Sequence, residues 1–141
     1  MDEVDPDVAE DAAKSLLKAC QFIRWRESAK PKTELIPTEE DAGTLIMAGC
    51  IMAACHLDHV LELFPCQPQA LALRASLEII TGDRGTARTY FNRLLLANPM
   101  DIRSFTLLNV LQEQLDQEKP DCQKIIRAMK PLIKKIENGL E

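Results

Sequence analysis

The sequence predicts an all-α fold of about six helices paired as antiparallel hairpins. Apolar residues recur at intervals of three and four along most of the chain, and no run alternates as a half-buried strand would. Hydrophobic residues make up 46% of the chain but aromatic residues only 4%. A core of leucine, isoleucine, alanine and methionine favours packed helices over a sheet. We divide the 141 residues into an N-terminal helix at 1–26, a linker at 27–37 and a helical domain at 38–141, all within one globular unit.

The first helix begins at Asp5-Pro6, because aspartate is a good N-cap and proline fits the first turn. We expect it to run to about Arg26. Its apolar stripe consists of Ala9, Ala13, Leu16, Leu17, Cys20 and Ile23. Pro31 and Pro37 forbid a helix through the linker that follows.

The second helix begins near Thr38, which can act as its cap. The stretch from Ala42 to Leu57 has no formal charge if His56 is neutral. At 16 residues it is shorter than the 18 or more that a membrane span requires. We therefore predict a buried central helix here and no membrane span.

Two short helices are predicted to fold back on each other between Pro68 and Pro99. Gly82 tolerates the positive φ at which the first of them must end, and Asp83 can cap the second. The first helix is apolar over so wide an arc that it should be covered on more than one side.

This spacing resembles the tetratricopeptide repeat, a helical hairpin of about 34 residues. The matching positions are Ala75, Gly82-Asp83, Ala87, Phe91 and Pro99. Leu71 lies where the family often has tryptophan, and Arg74 and Glu78 depart from its leucine and tyrosine. The resemblance implies that the hairpins stack as a short right-handed array.

Two further helices are predicted after Pro99. Asp101 caps one that runs to about Asp116, and the other starts at Asp121. The apolar stripe of the last helix continues past Pro131, so we expect a kink near Lys130. That stripe consists of Cys122, Ile125, Ile126, Met129, Ile133 and Ile136.

Catalytic and metal chemistry receive little support from the sequence. The strongest candidate for a zinc site is the set Cys50, Cys55, His56, His59 and Cys66. Their spacing matches no standard zinc motif, and free cysteines are common in cores. The stretch 81–85 lacks the ending of a phosphate-binding loop, and no catalytic motif occurs. We therefore predict no catalytic residue, no metal and no cofactor.

Charge and cysteine content indicate the surroundings of the protein. The net charge of −5 gives no general attraction to nucleic acid. Five cysteines, an odd number, occur at irregular spacing, which favours free thiols in a reducing compartment. The start Met1-Asp2-Glu3 does not read as a signal peptide. The expected location is the cytoplasm.

The family resemblance also implies a binding surface, because the first helix of each tetratricopeptide repeat lines a concave face. The corresponding positions here are Gln69, Ala72, Ser76, Ile79, Arg103, Thr106 and Val110. Only Arg103 among them is basic, so the partner expected on this face is an amphipathic helix or apolar segment of another protein, in a hetero-oligomer.

As a class, small acidic proteins of this kind resemble the chaperones of type III secretion, which keep export substrates such as the needle subunit monomeric. The resulting expectation is a chaperone or adaptor. The alternative is a self-associating regulatory or scaffold domain.

Overall fold

Six α-helices make up the fold in a computed structural model that describes residues 5–28 and 39–138. Their bounds are α1 Pro6–Ser28, α2 Glu39–Leu63, α3 Pro68–Thr81, α4 Arg84–Ala97, α5 Ile102–Leu115 and α6 Cys122–Asn138. No strand occurs in the described part of the chain. The prediction of an all-α fold with six helices is confirmed. The predicted linker at 27–37 lies mostly outside the described residues, and α1 continues to Ser28.

Helix α3 lies at the centre of the fold. It packs against α2, α4, α5 and α6, and its leucines Leu71, Leu73 and Leu77 are fully buried. The wide apolar arc predicted for this helix is thereby explained, because each side meets a different neighbour.

The prediction that the uncharged stretch Ala42–Leu57 is a buried central helix is wrong for 49–57, and the side chains of 42–48 lie outside the described part. Ile51 and Met52 are exposed, and so is Cys55. Helix α2 packs against α1 and α3. The exposed residues lie at i, i+1 and i+4 on one side of α2, whereas Cys50, Ala53 and Leu57 on the other side are buried. The helix therefore has one covered side and one side that faces solvent.

The turn between α3 and α4 has the predicted form. Gly82 has a φ of 98°, and its N–H donates to the carbonyl oxygens of Glu78 and Ile79. The Asp83 carboxylate accepts from the backbone N–H of Thr86 at 3.0 Å and so caps α4. Both ends of the turn are thus satisfied by local hydrogen bonds.

Replacing Gly82 with alanine is expected to lower the free energy of unfolding by about 1–2 kcal/mol, because an L-residue is strained at that φ. A Cβ there would meet no atom within 4 Å, so the cost comes from the backbone alone. Urea denaturation measures it. Gly85→Ala is the control, since Gly85 lies in the first turn of α4 without a positive φ. Equal stability of the two variants would contradict the expectation.

Helix α6 contacts the first helix of each antiparallel pair, where the pairs are α1–α2, α3–α4 and α5–α6. It packs against α1, α3 and α5, and Ile125, Met129 and Leu132 are fully buried there. It runs through Pro131 as one helix. Burial on both sides of the proline offsets the missing hydrogen bond. The kink expected near Lys130 stays a prediction.

Within the described residues, none of the helices combines the length and the hydrophobicity that crossing a bilayer would require.

Candidate functional site

The residues predicted to line a partner-binding face do not form one open surface. Ala72, Ser76 and Ile79 are buried, and the Ser76 hydroxyl donates to the carbonyl oxygen of Ala72 at 2.7 Å. Of the other four, Gln69 and Val110 are half-buried, whereas Arg103 and Thr106 are exposed. In the free chain, Arg103 and Thr106 are accessible to another protein, and Gln69 and Val110 are accessible in part.

Helix α6 accounts for this burial. Gln69 lies beside Lys135 and Ile136 of α6 in a shared cavity. Residues three and seven positions after Gln69 share its side of the helix, which places Ala72 and Ser76 on that same side. The opposite side holds Arg74, which contacts Asp58 of α2 and Tyr90 of α4. We infer that the face assigned to a partner by sequence is covered by the chain's own last helices.

An apolar groove remains open where α1 meets α6 and the start of α3. Its volume is about 460 Å³. It is lined by Ala9, Ala12, Ala13, Leu16, Val60, Phe64, Gln67, Gln69, Lys135 and Ile136. We call it the α1–α6 groove. Three alanines on one side of α1 leave this space, because a methyl group does not reach the opposite wall.

Polar groups gather at the α6 end of the groove. The Lys135 ammonium lies 2.9 Å from the Asp101 carboxylate. Burial raises the pKa of Asp101, but the hydrogen bond from Lys135 and the backbone N–H of Arg103 hold the pKa below its ordinary value. Asp101 is therefore ionised at neutral pH. It both caps α5 and fixes the lysine at the groove.

The first turns of α1 carry acidic residues. They are Asp5, Asp7, Glu10 and Asp11, all of which are exposed. None of them lines the groove, and Asp11 is paired with His59 of α2. At about 100° per residue, Asp5 lies on the same side of α1 as the lining alanines, whereas Asp7 and Asp11 lie on the opposite side. On the groove side of α1, Asp5 can attract a basic residue of a bound segment.

A second apolar surface lies at the corner between α4 and α5. Its members are large hydrophobic side chains that remain exposed, and we call them the corner patch. They are Leu95, Leu96, Met100, Ile102 and Phe105. Leu96 and Met100 are 87% and 93% exposed, so neither contributes to the core.

His56 and His59, which belong to the candidate zinc set, lie on α2 and contact side chains of α1. The His56 ring stacks on Phe22 with centroids 5.6 Å apart. His59 Nε2 lies 2.8 Å from the Asp11 carboxylate. Partial burial, with Lys18 and His59 nearby, lowers the pKa of His56. In the described part of the chain, no three cysteine, histidine or acidic side chains lie close enough together to hold a metal ion.

The thiol of Cys20 is expected to resist alkylation. Burial, helped by the charge of Glu137, raises its pKa to about 12, and the thiolate is the reactive form. Cys55 and Cys66 are exposed and serve as internal controls. Site-resolved mass spectrometry after treatment with a maleimide at pH 8 should show Cys20 reacting slower by roughly a hundredfold or more. Equal rates at the three positions would contradict the packing of α1 beneath α6.

Comparisons with protein-family models, with curated proteins and with solved structures find no match to this chain.

Sequence reasoning missed the groove because its two walls are far apart in the chain. Helix α1 supplies one wall and the end of α6 another. Each helix showed its apolar stripe in the sequence, but periodicity does not say which stripes meet. The corner patch did have a local signal, since the stretch 95–100 combines hydrophobic residues with the end of a helix.

Proposed function

We propose that this chain is a binding module that holds an apolar helix or segment of another protein, as a cytoplasmic chaperone or adaptor. The observation that supports this most is the α1–α6 groove. Binding sites are typically concave and mostly apolar, with volumes of about 300–1,000 Å³. The groove, at about 460 Å³, has room for side chains of a partner.

The groove favours one kind of occupant. Leu16, Phe64 and Ile136 offer apolar contact for a few anchoring side chains, which provide most of the affinity in such interfaces. Gln67, Gln69 and Lys135 add polar groups at one end that can fix the orientation of the bound segment. Asp5, on the groove side of α1, favours a basic residue beside the anchors. The proposed partner segment is apolar with a basic residue at one flank.

Burying such a segment would keep an aggregation-prone partner monomeric. This is the role of the type III secretion chaperones that the sequence resembles as a class, and a secretion substrate such as the needle subunit is the specific partner that we propose. The binding surface differs from the one expected from sequence, since the groove includes Gln69 but not Ala72, Ser76 or Ile79.

Filling the groove with a large side chain of the protein itself tests the proposal. In Ala9→Trp, a large ring occupies the space from an exposed position on α1. Gln123→Trp adds the same ring at an exposed position in the first turn of α6. Each variant and the wild type are used for affinity capture from the native cytosol.

The expected result is one protein captured in near-equal amount by the wild type and by Gln123→Trp, and lost with Ala9→Trp. That protein should be insoluble when it is produced alone. Circular dichroism and thermal melting establish that both variants fold. Identical capture by all three chains would rule out the groove as the binding site.

A further inference from the structure

The corner patch is the largest group of exposed hydrophobic side chains in the described residues. Of the seven that are exposed, five lie within 95–105, and the other two are Ile51 and Met52 on α2. Together the five expose on the order of 600 Å², at the upper end of what a typical monomer leaves in one apolar patch. Packing within one chain gives no reason for this exposure.

Of the three charged residues next to the patch in sequence, Arg93 and Asp101 bind groups outside it, and Arg103 is exposed. The Arg93 guanidinium donates to the carbonyl oxygen of Pro65 at 2.6 Å and lies over the Tyr90 ring. Asp101 is directed to Lys135. Between Arg93 and Arg103, the sequence has no other charged residue. Depletion of charge at the centre is the compositional sign of a protein interface.

The backbone beneath the patch is held in place. Asn98 ends α4 in the left-handed region with a φ of 51°, and its N–H donates to the Leu95 carbonyl oxygen at 3.3 Å. Asp101 begins α5 by accepting from the N–H of Arg103 at 3.0 Å. A surface fixed at both ends loses little conformational entropy when it binds.

We propose that the corner patch is a self-association surface on which a second copy of this chain docks. In a two-fold dimer the same patch is used twice and needs no complementary charge. Two patches would bury about 1,200 Å², the lower limit of a standard interface. A chain with a net charge of −5 repels its copy, and an uncharged patch is where that repulsion is weakest.

Sedimentation velocity of the full chain from about 1 to 100 μM measures the association. The wild type should shift from 15.8 kDa toward twice that mass. The double variant Leu96→Glu/Met100→Glu should weaken dimerisation at least tenfold, because it buries charge. Both positions are exposed, so the fold should persist. The double variant Leu96→Lys/Met100→Lys should weaken dimerisation to a similar extent. Because it reduces the net negative charge, this result would show that burying charge disrupts the dimer, and that added repulsion between acidic chains is not the cause.

Ile51→Glu, at the other exposed apolar site, is the matched control and should dimerise like the wild type. A wild type that stays monomeric at 100 μM would overturn the proposal, as would a dimer that only Ile51→Glu disrupts. A patch variant that loses a captured partner while the wild type stays monomeric would assign the patch to that partner instead. Ala9→Trp should leave dimerisation intact, so a failure of the groove proposal is distinguishable from a failure of this one.

Discussion

Replacing Leu73 with alanine is expected to lower the free energy of unfolding by about 2–5 kcal/mol. Leu73 is fully buried in α3, and this helix contacts four others. Truncation removes buried methyl and methylene groups and leaves a cavity that tightly packed helices cannot close. Guanidinium denaturation measures the loss, and the slope of the transition should stay unchanged.

Leu96→Ala is the matched control for this change. It removes the same atoms at an exposed position of α4, so stability should shift by no more than about 0.5 kcal/mol. Similar losses in the two variants would contradict the assignment of α3 as the centre of the fold.

Replacing Arg74 with methionine is expected to cost about 3 kcal/mol. Arg74 Nε donates to the Asp58 carboxylate at 2.9 Å, and the guanidinium also binds Glu78. The side chains of Arg74 and Glu78 are largely buried. Removing the cation leaves the Glu78 carboxylate buried without its partner, which is the costly case for an ion pair. The half-exposed Asp58 is solvated more easily and contributes less.

The double variant Arg74→Met/Glu78→Gln separates the charge from the packing. Once Glu78 is neutral, no buried charge is left behind, so the double variant should be at least about 1 kcal/mol more stable than Arg74→Met alone. A double-mutant cycle by urea denaturation gives the coupling energy. Additive losses would contradict the account of this pair.

The same pair explains where the sequence departs from the repeat pattern. A tetratricopeptide repeat often has leucine and tyrosine at these two positions, whereas Arg74 and Glu78 here bind each other one helical turn apart. Arg74 also lies 5.0 Å above the Tyr90 ring. A spacing of four residues with opposite charges is readable from sequence. The third partner, Asp58, is not, because it comes from another helix.

Local features of the fold were predictable from the sequence because their causes lie within a few residues. Gly82 and Asp83 mark the turn, and Asp101 caps the following helix. The six helical segments were also predictable, because the spacing of apolar residues that marks a helix is a local feature. The errors concern which helix is central. Lack of charge in Ala42–Leu57 suggested burial, but Ile51 and Met52 are exposed, because burial depends on the neighbouring helices and not on hydrophobicity alone.

The predicted partner-binding face shows even more clearly that sequence periodicity does not say which helices pack together. Its predicted lining came from a family pattern that assumes an open concave surface. Helix α6 packs against α1, α3 and α5, and so the face beginning at Gln69 is largely occupied. The groove that remains is a product of three small side chains on α1 and the position at which α6 ends. Such a junction is set by tertiary packing.

Hydrogen exchange of the full chain with and without its captured partner tests the central claim most directly. If the partner's apolar segment occupies the α1–α6 groove, amide protection should rise in 9–16 of α1 and around Phe64 to Gln69, and stay constant in 84–94 of α4. Protection confined to 95–105, or no change in any of these segments, would contradict binding in the groove.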